Sequence, residues 1–230
     1  MYAFYSFLFL LSLVIYIPVY FLRIRLRRGE PLFLKERLGF KLPAKEDSGK
    51  SVWFHAVSVG EVLSLQNLLK RIKERHPDWA IYFSTLTNAG MHIAKQKLVD
   101  VDQIFFVPID FAPVVRKFFK ALKPRIFALA ESEFWPNLLR EAKGQSKSVF
   151  LINGRISSHS FRKYSRIKFL ANRILKNIDF FLMQTEKDKE NLEKIGVDSS
   201  KVTVVGNLKC EVSLPLLSRE ELARIKKSLS

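Results

Sequence analysis

The stretch Ser51–Glu61, SVWFHAVSVGE, decides the fold. Residues 51–57 form a short run of apolar, β-branched and aromatic residues, the composition of a buried strand. After Ser58 the spacing changes. Val62, Leu65, Leu68, Leu69 and Ile72 recur at helical intervals through GEVLSLQNLLKRIKERH. A strand running straight into a helix is half of a βαβ unit. In many nucleotide-binding α/β folds this turn is glycine-rich and holds a phosphate on backbone N–H groups. Here it has one glycine, Gly60, followed by a carboxylate, Glu61. Ser58 fits an N-cap, with Glu61 at the acidic N3 position of a capping box. Glu61 equally fits a general base, held ionised by the helix dipole and able to take a proton from a substrate hydroxyl. The pattern alone leaves both readings open.

The alternation continues outward. Further strands are predicted at 80–86, 103–109, 125–130, 148–153, 179–184 and 201–206. Several lack any polar alternation, as expected of a sheet buried on both faces. Phe161, Tyr164, Ile167, Ala171, Ile174 and Ile178 predict one long helix between the fifth and sixth strands. There is no internal repeat and no low-complexity linker. The expected fold is α/β, a Rossmann-like, doubly wound parallel sheet with helices on both faces. In such sheets ligands bind beyond the carboxyl ends of the strands, so the residues just after each strand matter most.

Three other strand ends carry polar groups. The fourth leads into ESEFWPN, where Glu133 suits a cap for the next helix, with Pro136 in its first turn, and Glu131 has no evident structural task. The fifth leads into NGR. Asn153 and Arg155 offer amide and guanidinium donors, and Arg155 suits either a bidentate anion contact or a pair with a nearby glutamate. The last leads into GNLK, where Asn207 and Lys209 stand at the edge of the candidate site. Lys209 reads as an anion ligand or as an ordinary surface lysine.

The 230 residues are 48% hydrophobic and 27% charged, which excludes a disordered chain, and the net charge of +17 calls for an anionic partner. The single cysteine, Cys210, permits no intrachain disulfide, and His55, His76, His92 and His159 lack metal-ligand spacing. No metal or cofactor site is expected. Ala3–Leu22 carries no charge and is long enough to cross a bilayer as a helix; Arg23–Arg28, RIRLRR, would keep the rest of the chain cytoplasmic. A single-pass or monotopic membrane anchor over residues 1–24 is the expectation. Basic segments at 116–125 and 162–176, which include Arg162 and Arg166, fit an anionic leaflet better than nucleic acid, for which no module is present. In the tail, Pro215 interrupts the pattern, and Ser218 with Glu221 predicts the start of a short amphipathic helix.

SVGE, ESEFWPN, NGR and GNLK, in this order and at these strand ends, resemble the 3-deoxy-D-manno-octulosonic acid (Kdo) transferases of lipopolysaccharide synthesis. KERLGF at 35–40 and the N-terminal apolar segment are similar to that family too. The resemblance implies a glycosyltransferase-B architecture of two Rossmann-like domains. It implies metal-independent, inverting transfer of Kdo from CMP-Kdo to a lipid A precursor at the cytoplasmic face of the inner membrane. Glu61 is then the proton acceptor, and Glu131 and Lys209 stabilise the transition state. Ser58, Gly60, Glu133, Asn153, Arg155 and Asn207 are candidate substrate-binding residues around them. Residues 25–210 would be the acceptor-side domain, and 211–230 a linker into a donor-binding domain not contained in these 230 residues, so that the chain alone is inactive. Glu211 stands where the family commonly has Asp. Two other readings remain: a non-catalytic, membrane-anchored module that binds anionic lipid or a partner protein, and a glycosyltransferase-B enzyme with a different lipid-linked sugar.

Overall fold

A computed structural model describes residues 1–2, 4–14, 33–44 and 50–211 of the protein. Seven strands, β1 (Lys50–Ala56), β2 (Trp79–Thr85), β3 (Gln103–Phe106), β4 (Ile126–Ala130), β5 (Ser148–Gly154), β6 (Phe180–Met183) and β7 (Val202–Val204), form one sheet in the order β3-β2-β1-β4-β5-β6-β7. Every neighbouring pair is parallel. The chain builds outward from β1 in one direction and from β4 in the other. Between β1 and β4 lies the switch point where a doubly wound sheet opens a crevice.

The helices are α1 (Leu34–Arg37), α2 (Val59–Arg75), α3 (Asn88–Lys97), α4 (Ala112–Leu122), α5 (Pro136–Gln145), α6 (Ser158–Arg166), α7 (Lys168–Leu175) and α8 (Glu186–Ile195). They cover both faces, and the strands divide their side chains accordingly. Val52, Phe54 and Ala56 of β1 pack with Val62, Leu65 and Leu69 of α2 and Ala94 of α3. Trp53 points the other way, into a larger core with Phe118 and Phe119 of α4, Leu138 and Leu139 of α5, and Leu192 of α8. The predicted two-sided burial is present.

Several boundaries differ from expectation for identifiable reasons. The third strand stops at Phe106: Val107 N–H still reaches Thr85 C=O at 2.9 Å, but Pro108 has no N–H with which to continue the ladder. The last strand starts at Val202, after a 3₁₀ turn at Ser199–Lys201 that Asp198 caps. The long helix predicted through 161–178 is two, α6 and α7, broken at Ile167 (φ −118°, ψ 36°). Phe161, Tyr164, Ala171 and Ile174 keep their places on the core, while Ile167 is exposed and Phe169 turns fully outward. Each short helix satisfies the 3.6 period separately, so periodicity could not reveal the break.

Residues 4–14 are helical, and residues 15–32 lie outside the described residues, as do 212–230. The apolar segment and its basic flank, and the proposed linker with its capping box, are therefore described only in part or not at all. Among the described residues no helix is long and apolar enough to cross a membrane. The helix at 4–14 is two-faced. Phe9 and Leu13 pack against the core, whereas Phe4, Phe7, Leu8, Leu11 and Val14 are exposed.

KERLGF has a structural role. Arg37 is buried, its guanidinium donates to Leu86 C=O and lies 4.6 Å from the Phe106 ring, and its own C=O accepts from Ile109 N–H at 3.1 Å. It ties α1 to the carboxyl ends of β2 and β3. Arg37→Ala is expected to lower stability by about 1.5–3 kcal/mol in urea denaturation, the range for hydrogen bonds to charged groups, with Arg37→Lys recovering only part.

Candidate functional site

Ser58 caps α2 from an extended backbone, and its Oγ accepts from Glu61 N–H at 3.3 Å. The Glu61 carboxylate closes the turn. Oε1 accepts from the Ser58 hydroxyl at 2.8 Å, and Oε2 from Val57 N–H at 2.9 Å. The capping role is thus real, with Val57 supplying the N–H where the usual capping box uses the cap residue itself. Glu61 is also only 6% exposed. Burial raises its pKa above the ordinary glutamate value, the bonds from Val57 and Ser58 oppose the rise, and the fields of Glu131 and Glu133 add to it. Burial is the largest of these influences, so the net effect of the surroundings is a carboxylate with raised proton affinity at the helix start. A carboxylate raised in this way is better matched to accepting a proton near neutral pH.

Glu131 follows β4 in the left-handed region, at φ 56°, and Asn153 near the end of β5 does the same at φ 51°. Such geometry in non-glycine residues concentrates where a site over-determines the backbone. Between Leu151 and Gly154 the β5–β6 register shifts, a bulge at the same edge. A Cβ on Gly154 would lie 2.6 Å from Met183 Sδ, so any larger residue there must displace the buried Met183 side chain.

Glu131 Oε1 meets Lys209 Nζ at 3.0 Å, across 78 residues of chain. Lys209 sits on a 3₁₀ turn, Leu208–Glu211, reached through Gly206 at φ 88°. A Cβ on Gly60 would be 3.8 Å from the same Nζ. Glu61, Glu131 and Lys209, widely separated in sequence, thus gather over the β1–β4 switch point.

The surrounding candidates divide. Asn207 Oδ1 accepts from Lys209 N–H at 2.9 Å and shapes the turn. Asn153 is buried, with its Oδ1 on Leu208 N–H at 3.1 Å. Arg155 is exposed and pairs with no described carboxylate. Glu133 does not cap α5, a correction. Its Oε2 accepts from Trp135 Nε1 at 3.0 Å, while the α5 N–H groups of Asn137 and Leu138 donate to buried Asp110 at 3.1 and 2.7 Å. Asp110 lies on the loop before α4, so local spacing gave no sign of it.

His55 was also missed as a site element. Its Nδ1 lies 3.0 Å from Ser84 Oγ, a hydroxyl that accepts from Trp53 Nε1 at 2.8 Å, and its ring stands edge-on to Trp135. Complete burial pushes its pKa down to about 4, so it is neutral at physiological pH. A cleft of about 500 Å³, lined by Tyr5, Phe9, Glu133, Trp135 and Tyr164 among others, adjoins this group through Trp135, and Glu61, Glu131 and Lys209 are not among its lining residues. In the basic segment at 116–125, Arg116 forms a bidentate pair with Glu141 at 3.0 and 2.8 Å, while Lys117, Lys120, Lys123 and Arg125 are exposed. Among the described residues no His, Cys, Asp and Glu cluster could hold a metal ion.

Fold and site define a Rossmann-like α/β domain whose functional edge carries carboxylates and one lysine in place of a glycine-rich phosphate loop. The chain belongs to the 3-deoxy-D-manno-octulosonic-acid transferase (kdotransferase) family, whose model matches residues 33–212. It is 33% identical over 198 residues to the 3-deoxy-D-manno-octulosonic acid transferase of Chlamydia trachomatis, covering 85% of this chain and 46% of that protein. With the Rickettsia felis transferase it shares 33% over 190 residues, covering 82% and 40%. It is also 33% identical over 203 residues to a bifunctional glycosyltransferase/methyltransferase of Fusobacterium nucleatum, covering 86% and 31%. The chain thus spans less than half the length of these relatives. Among solved structures, a Neisseria meningitidis UDP-GlcNAc 2-epimerase superposes with a TM-score of 0.53 at 12% identity, over 77% of this chain and 53% of that one, a likeness of fold alone.

Because burial raises the folded-state pKa of Glu61 above its unfolded value, folding favours the protonated form. The resulting stabilisation is complete below the unfolded pKa and is lost as pH rises through the folded one. Stability measured across the carboxylate range should fall with rising pH more steeply in the wild type than in Glu61→Gln.

Proposed function

We propose that this chain provides the acceptor-side half of an inverting Kdo transferase, which moves Kdo from CMP-Kdo to a lipid A precursor with Glu61 as general base. The observation that carries the reading is the convergence of a buried Glu61, whose proton affinity burial raises, with the Glu131–Lys209 pair at the switch point. The family to which the chain belongs supports the choice of sugar and donor. Glu61 removes the proton from an acceptor hydroxyl, whose oxygen attacks the anomeric carbon of Kdo. The bond from that carbon to the CMP phosphate oxygen breaks on the opposite face, which inverts the configuration. Lys209 offsets negative charge on the departing phosphate or on the Kdo carboxylate, and Glu131 keeps its amine at the site.

The aromatic cleft beside Glu133 and Trp135 suits the acceptor sugar, since aromatic faces stack on apolar ring surfaces. Exposed Phe4, Phe7, Leu8 and Leu11, and exposed Ile167 and Phe169 beside Arg162 and Arg166, suit the surface of the inner membrane. The cytoplasmic orientation rests on the basic residues after the apolar segment.

With CMP-Kdo and a lipid A precursor, full-length Glu61→Gln is expected to lose about 10²–10⁴-fold in kcat while remaining folded by circular dichroism. Ordinary turnover by that variant would contradict the mechanism. Arg162→Glu combined with Arg166→Glu should weaken binding to anionic vesicles, measured by co-sedimentation, and the loss should shrink as salt is raised.

A further inference from the structure

We infer that Asn153 is a positioning residue, which suspends the turn bearing Lys209 and thereby sets the amine against Glu131. This deepens the proposed function and rests on the catalytic reading of Lys209. The Asn153 side chain was expected to contact substrate. Instead it is 1% exposed, and its Oδ1 accepts from Leu208 N–H at 3.1 Å. Leu208 packs against the core cluster beneath α2, and Lys209 comes directly after it.

Asn153 holds this position at two local costs. Its backbone is left-handed, and its C=O is held there by Gln184 Nε2 at 2.9 Å. Because Leu208 presents a donor, the amide oxygen must face it, which leaves the buried Nδ2 without a hydrogen-bond partner among the described residues. An unsatisfied buried donor is destabilising, and a left-handed non-glycine residue is too. The neighbouring strand end repeats the backbone choice. Glu131 is also left-handed, and its N–H donates to Ile152 C=O at 3.0 Å, so the two kinks sit side by side. One carries the carboxylate that Lys209 meets, and the other carries the acceptor that holds the lysine's turn.

An aspartate would accept the same Leu208 N–H and leave no orphaned donor. It would also add a carboxylate to an edge that already holds Glu61, Glu131 and Glu133, raising the proton affinity of Glu61 further. Asparagine supplies the acceptor without the charge.

The test uses full-length Asn153→Ala and Asn153→Asp, with amide hydrogen exchange followed by NMR. Asn153→Ala should speed exchange at Leu208 by about tenfold, the equivalent of one lost hydrogen bond, with amides of β1 and β4 unchanged. Asn153→Asp should retain the protection and shift the acid limb of kcat/KM to higher pH. In a Lys209→Ala background, Asn153→Ala should cost no further activity. Unchanged Leu208 exchange in folded Asn153→Ala, or an equally large added loss in the Lys209→Ala background, would overturn the assignment. The exchange measurement needs no substrate. It decides the positioning even if full-length protein transfers no Kdo, a result that would contradict the proposed function instead.

Discussion

The 3.0 Å contact between Glu131 Oε1 and Lys209 Nζ turns a row of strand ends into a site. It joins the end of β4 to the segment beyond β7, near the far edge of the sheet, and brings the amine over Gly60 and the start of α2. As a stability contribution the pair is modest, because the lysine is about half exposed and water screens it. Its importance is geometric. The sheet order fixes where β1 and β4 end, and the contact with Lys209 fixes what stands between them.

At Glu61 the observed cap and the proposed base do not conflict. Its carboxylate closes the helix start through Val57 N–H and the Ser58 hydroxyl, and those bonds hold it in one orientation. The same enclosure removes it from water and raises its proton affinity. The cap and the raised proton affinity on which the proposed base rests thus come from a single packing arrangement. A glycine-rich phosphate loop would leave its N–H groups open to an anion; here the Glu61 carboxylate takes the Val57 N–H and the Ser58 hydroxyl oxygen takes the Glu61 N–H.

Most of the fold was legible in the sequence because its signals are local. Apolar runs mark buried strands, helical spacing marks α2, and the strand-helix alternation marks a parallel sheet. Ser58 and Glu61 were legible for the same reason, since a capping box lies within one turn. What sequence spacing missed depends on chain segments meeting in space. Asp110 caps α5 from 26 residues before Pro136, so Glu133 in the adjacent loop looked like the cap. The break at Ile167 left the helical period intact on both sides. The depth of Glu61 also had no local signal, because a capping box forms equally well on an exposed helix start.

Burial raises the proton affinity of Glu61 above that of an ordinary glutamate, and the proposed role as base depends on that rise. The most direct measurement is a ¹³C NMR titration of the Glu61 side-chain carboxyl in full-length protein, repeated in Glu131→Gln. The account predicts a midpoint above that of an ordinary glutamate, moving down when the Glu131 charge is removed. A midpoint at or below the ordinary glutamate value, unmoved by that substitution, would contradict it.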